Sequence, residues 1–357
     1  MNTADLRSDG IYVLGTGAQT PVGRSAPAAA AAVRCGISAY TEHSYLVDQH
    51  GEPMVVARAE WLDETPPITD RIFALAEDAA HEALGPLHAT PTALRDVHTH
   101  LALSAESVPQ SAIGHEILQR LASAVGVLHA DSRTEFIAAG HAGGLLALEN
   151  AVRKLRGGEA QLCLVGGADS WLDPDRLQTL DLQGRLHSMH NSWGFIPGEG
   201  AGFCLLATGA SAYRFGLTPL AELMAVATGH ETKLMGTQTV CIGEGLTAAF
   251  RGVLDPATPV AHSYCDFNGE TYRADEYGFT ICRTSEFFED AGSFTAGAEC
   301  WGDVGSASAL LGMALATSSW KGGYAKGPVA LVWGSGASAP CRGAALLREH
   351  SAPGEGN

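Results

Sequence analysis

Ala138-Ala139-Gly140-His141-Ala142-Gly143-Gly144-Leu145 reads as a sharp turn that delivers one side chain to the head of a helix. Beyond it Leu145, Leu148, Val152 and Leu155 recur at helical spacing, Arg153, Lys154 and Arg156 fill the last turn, and Gly157-Gly158 ends it. The apolar run Leu162-Cys163-Leu164-Val165, closed by Gly166-Gly167-Ala168-Asp169, follows as a buried strand. A side chain at such a helix start meets unpaired backbone N–H groups and the positive end of the helix dipole, where a thiolate would be stabilised. His141 stands there, so the segment has the form of a nucleophile elbow without its nucleophile.

Outward from the elbow, apolar strand-like runs alternate with helical stretches, the grammar of an α/β fold with parallel strands. Strands are expected at residues 11–14, 101–103, 162–165 and 203–206, and helices at 25–34 and 71–84. A second series begins near Leu220, with strands at 223–226, 260–263, 329–333 and 344–347 and helices at 246–254 and 304–316. Residues 177–197 lack a clear period and read as an ordered loop, a place where function concentrates.

At 357 residues the chain can bury a large core, and 46% apolar with 17% charged residues indicates a compact globular protein. A net charge of −17 without a basic run argues against nucleic-acid and anionic-membrane partners. The eight cysteines show no CxxC or paired spacing, which suits a reducing cytosol. The start, MNTADLRSDG, has no basic n-region followed by an apolar core, and the run Ala26–Ala32 is too short to span a bilayer. A cytoplasmic protein without membrane insertion is the expectation.

Four segments, in order, resemble the β-ketoacyl synthase branch of the thiolase superfamily. They are Val13-Leu14-Gly15-Thr16-Gly17-Ala18-Gln19-Thr20-Pro21-Val22-Gly23; the elbow with Gly166-Gly167-Ala168; Gly194-Phe195-Ile196-Pro197-Gly198-Glu199-Gly200-Ala201-Gly202; and Gly302-Asp303-Val304-Gly305-Ser306-Ala307-Ser308. The resemblance implies a layered αβαβα thiolase fold of two similar βαβαβαββ halves, 1–210 and 211–357, forming a homodimer. It also implies a cysteine that takes an acyl group from a thioester, and two histidines that help decarboxylate a malonyl thioester. The cysteine position falls on His141, the first histidine near His262, the second on Trp301, and a lysine position near Ala296. The residues after His262 also depart from the family's small Gly/Thr pattern, being Ser263-Tyr264-Cys265. No catalytic residue is therefore expected.

The elbow also resembles that of chain-length-factor subunits, which keep the synthase shape and pair with an active partner. Degenerate thiolase-like proteins of this kind occur among type VI secretion effector modules. The resemblance thus implies a non-enzymatic accessory or adaptor, a chain-length-factor-like partner of an active synthase, or an acyltransferase working through His141 or Cys265. Phe195, Tyr264, Cys265, Asn268 and Glu270 are candidate pocket residues, with Tyr264 and Trp301 as plugs. A Cys265–His262 pair would be reactive if hydrogen-bonded.

Asp266, Glu270, Arg273 and Glu276 read as a solvated charge cluster at a helix start, with a polar network in the vacated site as the alternative. Cys163, Cys204 and Cys282 read as core, and Glu199 as a structural hydrogen-bonding residue. His98 with His100, and His187 with His190, are half-sites at most, so neither metal nor cofactor is expected.

Overall fold

The computed structural model describes residues 6–63, 67–104, 111–127 and 133–350. Ten of its strands join in one sheet of order β10-β9-β11-β12-β8-β1-β7-β6-β4-β5, and a hairpin forms a separate two-stranded sheet. The first five strands in sequence, apart from a hairpin, are β1 (Ile11–Gln19), β4 (Val97–Leu103), β5 (Thr134–Ile137), β6 (Leu162–Ser170) and β7 (Glu199–Thr208). The second five are β8 (Ala221–His230), β9 (His262–Cys265), β10 (Phe294–Ala296), β11 (Val329–Ser335) and β12 (Cys341–Glu349). The sheet order 1-7-6-4-5 of the first set is matched strand for strand by 8-12-11-9-10 of the second. Pairing senses match too: β4 lies parallel to β5 and β6 as β9 does to β10 and β11, while β7 and β12 run antiparallel to their neighbours. The all-parallel expectation is thereby corrected to a mixed sheet, because one strand in each half, β7 and β12, runs antiparallel to the other four. The halves meet through a short antiparallel pairing of β1 with β8, Ile11 opposite Leu223.

Two helices lie between the halves. Helix α4 (Gly143–Arg156) packs on β4 and β6 from one side and on β8 and β12 from the other. Helix α10 (Ser308–Lys321) packs on β1 and β7 and on β9 and β11. Being covered on both sides, α10 is buried nearly all round, and together they form the central core. Outer layers complete the αβαβα stack: α2 (Ile68–Ala83) and α3 (Ser111–Ala124) cover one half. The other is covered by α7 (Glu244–Arg251) and α8 (Thr271–Ile281). Strands β4 and β6 are buried at every residue, as strands sandwiched between helix layers must be.

The expected strands and helices are present, and most strands run longer. The strand expected at 260–263 lies at His262–Cys265, and the helices expected at 246–254 and 304–316 lie at Glu244–Arg251 and Ser308–Lys321. Residues 177–197 are corrected in part, since Pro174–Leu182 forms α5, capped by the Asp173 side chain on the Arg176 N–H with Pro174 in its first turn. The hairpin β2 (Tyr40–Val47) and β3 (Pro53–Ala57) was not anticipated; neither strand alternates cleanly. His98 and His100 are not surface residues, because β4 lies between β5 and β6. Cys282, expected in the core, is exposed at the end of α8. Among the described residues no helix is long and apolar enough to cross a membrane.

Candidate functional site

Two matching turns build the site. Strand β5 ends in Ala138-Ala139 and the chain reverses at Gly140, φ +60°, into a single tight turn, Gly140–Ala142, that continues as α4. In the other half Gly305, φ +52°, opens the turn Gly305–Ala307 ahead of α10. Left-handed backbone is open to glycine at little cost, which is why both turns begin with it. The turns touch each other, bringing His141 beside Asp303.

His141 is buried, and its Nε2–H donates to both carboxylate oxygens of Asp303, at 2.8 and 2.9 Å. An acceptor-only carboxylate places the proton on that nitrogen. Asp303 also accepts from the Trp171 indole at 3.1 Å, the Gly305 N–H at 2.8 Å and the Asn268 side-chain amide at 2.6 Å. Arg273, fully buried, lies 3.7 Å from Asp303 and is hydrogen-bonded to Asp266 and to the Ser335 carbonyl. Asn268 bridges onward to Glu270 at 3.0 Å, and Glu270 holds Arg185 through two bonds of 2.8 and 3.1 Å. Three carboxylates thus face two guanidinium groups and an imidazole. Burial alone would push the Asp303 carboxyl up, but the charge and hydrogen bond of His141, the nearby Arg273 and the Gly305 N–H hold it far below the usual range.

The solvated-cluster expectation is overturned, because Asp266, Glu270, Arg273 and Glu276 are all buried. Helical spacing would let Arg273 pair Glu270 or Glu276, but Glu270 stands 4.0 Å away, Asp266 is the close partner, and Glu276 pairs Arg342 at 2.6 Å. Helix α8 turns Arg273 and Glu276 inward, onto the Ser335 carbonyl of β11 and Arg342 of β12, which helical spacing alone does not reveal.

The remaining candidates lie elsewhere. His262, at the start of β9, bonds the Ser293 hydroxyl at 2.9 Å and the Thr295 hydroxyl at 2.8 Å, and Cys265 Sγ lies 3.8 Å from the Thr295 carbonyl. With both imidazole nitrogens occupied, the Cys265–His262 pair is not formed. Burial pushes the Cys265 thiol well up, away from the reactive thiolate. Trp301 and Tyr264 belong to the central core, Tyr264 donating to Ser319 at 3.2 Å, and the space between them and Cys265 is about 10 Å³, hardly one water. Phe195 packs edge-on against Trp171 at 5.2 Å in a separate small core. Glu199 makes structural bonds, to Arg71, Ser170 and the Ala59 N–H.

What remains open beside His141 is a cleft of about 190 Å³ lined also by Ser104, Trp171, Arg185 and residues 336–339. It is smaller than an ordinary small-molecule site. Asp303, Trp171 and Arg185 escaped selection from sequence. Only Asp303 carried a signal, an acidic residue two before the glycine of a helix-opening turn, where its carboxylate reaches the Gly305 N–H.

His262 also sets a pH dependence. Burial, followed by the nearby Lys326, lowers its folded pKa from 6.5 to about 4. Between these values the unfolded chain binds the proton and the folded one does not, so stability is complete above pH 6.5 and falls as pH drops toward 4. His262→Asn is expected to flatten that part of the melting temperature–pH curve; an unchanged slope would assign the titration to another group.

Residues 126–212 match the family model for the β-ketoacyl synthase N-terminal domain. No curated protein matches the sequence. Among solved structures, the chain is similar to AntDE:AntF, a type II polyketide synthase acyl-carrier protein in complex with its ketosynthase bound to the hexaketide. The TM-score is 0.77 at 15% identity, covering 96% of this chain and 100% of that one. It is similar to the ishigamide ketosynthase/chain length factor, with TM-score 0.72, 20% identity and 96% and 100% coverage. It is also similar to the ketosynthase from module 1 of the bacillaene synthase of Bacillus amyloliquefaciens FZB42, with TM-score 0.73, 16% identity and 99% and 75% coverage. The fold is the thiolase-like ketosynthase fold.

Proposed function

We propose that this chain, a ketosynthase-like member of the thiolase superfamily by fold, has lost condensing chemistry and acts by binding other proteins. One observation carries the reading: the residue at the head of α4 is an imidazole tied to Asp303 inside a buried, charge-matched network. Condensation through the elbow needs a nucleophile free to hold an acyl group, and here it is engaged in structural bonding. Cys163 and Cys204 are buried in the core, with their thiols pushed up by burial, and Cys265 is likewise shifted. We take the role to be that of an accessory or adaptor, with a type VI secretion effector module as the setting implied by the sequence resemblance.

The likeness to a ketosynthase/chain length factor favours a second version, a partner subunit of an active synthase. Both versions take the halves as 1–210 and 211–357. The adaptor reading includes a homodimer with its interface near the edge strand of the first half, which in the sheet order is β5, and the partner-subunit version pairs instead with the active synthase. Light scattering at micromolar concentration is expected to give twice the mass of the 357-residue chain. A monomer would contradict the dimer.

Intact-mass spectrometry after incubation with acyl-CoA and acyl-carrier thioesters tests the main reading. No adduct is expected on a chain that folds normally, while an intact synthase labels in parallel. An acyl adduct mapped to His141 or Cys265 would sink the reading and make the chain an acyltransferase. Co-purification with an intact synthase encoded alongside would select the partner-subunit version.

A further inference from the structure

Outside the His141 site, Glu231, Cys241 and Glu276 converge in the second half, their ligand-type atoms all within 4.8 Å of one another. Glu231 ends the crossing from β8, Cys241 lies in the irregular segment before α7, and Glu276 projects from α8. Each carboxylate is oriented from behind. Glu231 accepts the N–H groups of Thr232, Lys233 and Gly245, each at 3.0 Å. Glu276 Oε1 accepts from Arg342 Nε at 2.6 Å, while its other oxygen, on a side chain without solvent exposure, has no partner in good hydrogen-bond geometry, the Ser335 hydroxyl being its neighbour. A buried carboxylate oxygen so poorly satisfied beside a second carboxylate and a thiol is costly unless a cation joins them.

We propose that Glu231, Cys241 and Glu276 form a divalent transition-metal site, best suited to zinc, which clasps the segment before α7 onto α8. The donor set selects the metal. A thiolate favours zinc over calcium or magnesium, and three protein donors leave a fourth tetrahedral position for water, well short of the six to eight oxygens calcium takes. Charge closes as well: thiolate and two carboxylates against Arg342 and Zn²⁺ sum to zero. Arg342 and the three backbone N–H groups supply the outer bonds that aim the ligands. On binding, the Cys241 S–H proton leaves to solvent and a S–Zn bond forms. Cys241 is only partly buried, so the metal has a way in.

The test is titration of the metal-stripped full-length chain with Zn²⁺ alone, against a competing chromophoric chelator, and then with Co²⁺. Uptake of one equivalent is expected, weakened in Cys241→Ser by more than the roughly 10–100-fold that losing even an outer-shell partner costs, with a thiolate-to-cobalt charge-transfer band absent from that variant. Glu276→Gln should weaken uptake while keeping the band at saturating metal. Because Cys35 and Cys282 are exposed, the difference between chains is the readout rather than total uptake. No uptake, equal affinity in Cys241→Ser, or cobalt binding without the thiolate band would overturn the site.

Discussion

Asp303→Ala is expected to destabilise the protein by about 3–5 kcal/mol, the cost of breaking a buried ion pair on one side only. Asp303 collects bonds from His141, Trp171, Asn268 and the Gly305 backbone, and its removal leaves Arg273 fully buried with one carboxylate fewer nearby. Urea unfolding at neutral pH measures it as a lower midpoint at unchanged slope. Asp303→Asn should lose less, since the amide oxygen still accepts. The sign of its pH dependence follows from its lowered folded pKa. The contribution is present above the free value of 3.8 and is lost as pH falls below it, because the unfolded carboxyl takes the proton first. A loss under about 1 kcal/mol in Asp303→Ala would show that the network fills space without bearing on stability.

Gly305→Ala is the second large effect. Two costs add there. A side chain in left-handed backbone costs roughly 1–2 kcal/mol, and the new Cβ would stand 1.8 Å from the Asp169 carboxylate oxygen, forcing that buried side chain aside. Overpacking of this sort typically adds about 1–3 kcal/mol. The matching glycine of the other half serves as the control. Gly140→Ala bears the same backbone cost, but its Cβ meets only the methyl of Ala339 at 3.2 Å, so a loss of roughly 1–2 kcal/mol is expected. Equal losses at the two positions would show that backbone conformation, not crowding against Asp169, sets the cost.

Much of the fold was legible because its signals are local. The stripe Leu145, Leu148, Val152, Leu155 and the stop at Gly157-Gly158 mark α4 without help from the rest of the chain, and the apolar run from Leu162 marks β6. Helix α5 was missed, its mixed polarity hiding the period although Asp173-Pro174 marks its start. Hairpin β2–β3 carries few residues facing a core, so little alternation records it. At the site, the glycine turns and the missing thiol could be read from residues 138–145 and 302–308. The network around them could not: Asp303 and His141 are 162 positions apart, and Arg185 and Glu270 are 85.

By itself, then, the sequence determined the main strands and helices of the core, the paired helix-opening turns and the absence of cysteine at the elbow, since each rests on neighbours in the chain. Tertiary structure alone decided which charged groups are solvated and which are buried. Arg273 becomes an interior cation only because α8 seats its inner face against β11, beside Asp266 and the Asp303 turn. A charge's burial depends on what the other half of the molecule places over it, and that meeting is a property of the packed layers, not of any segment.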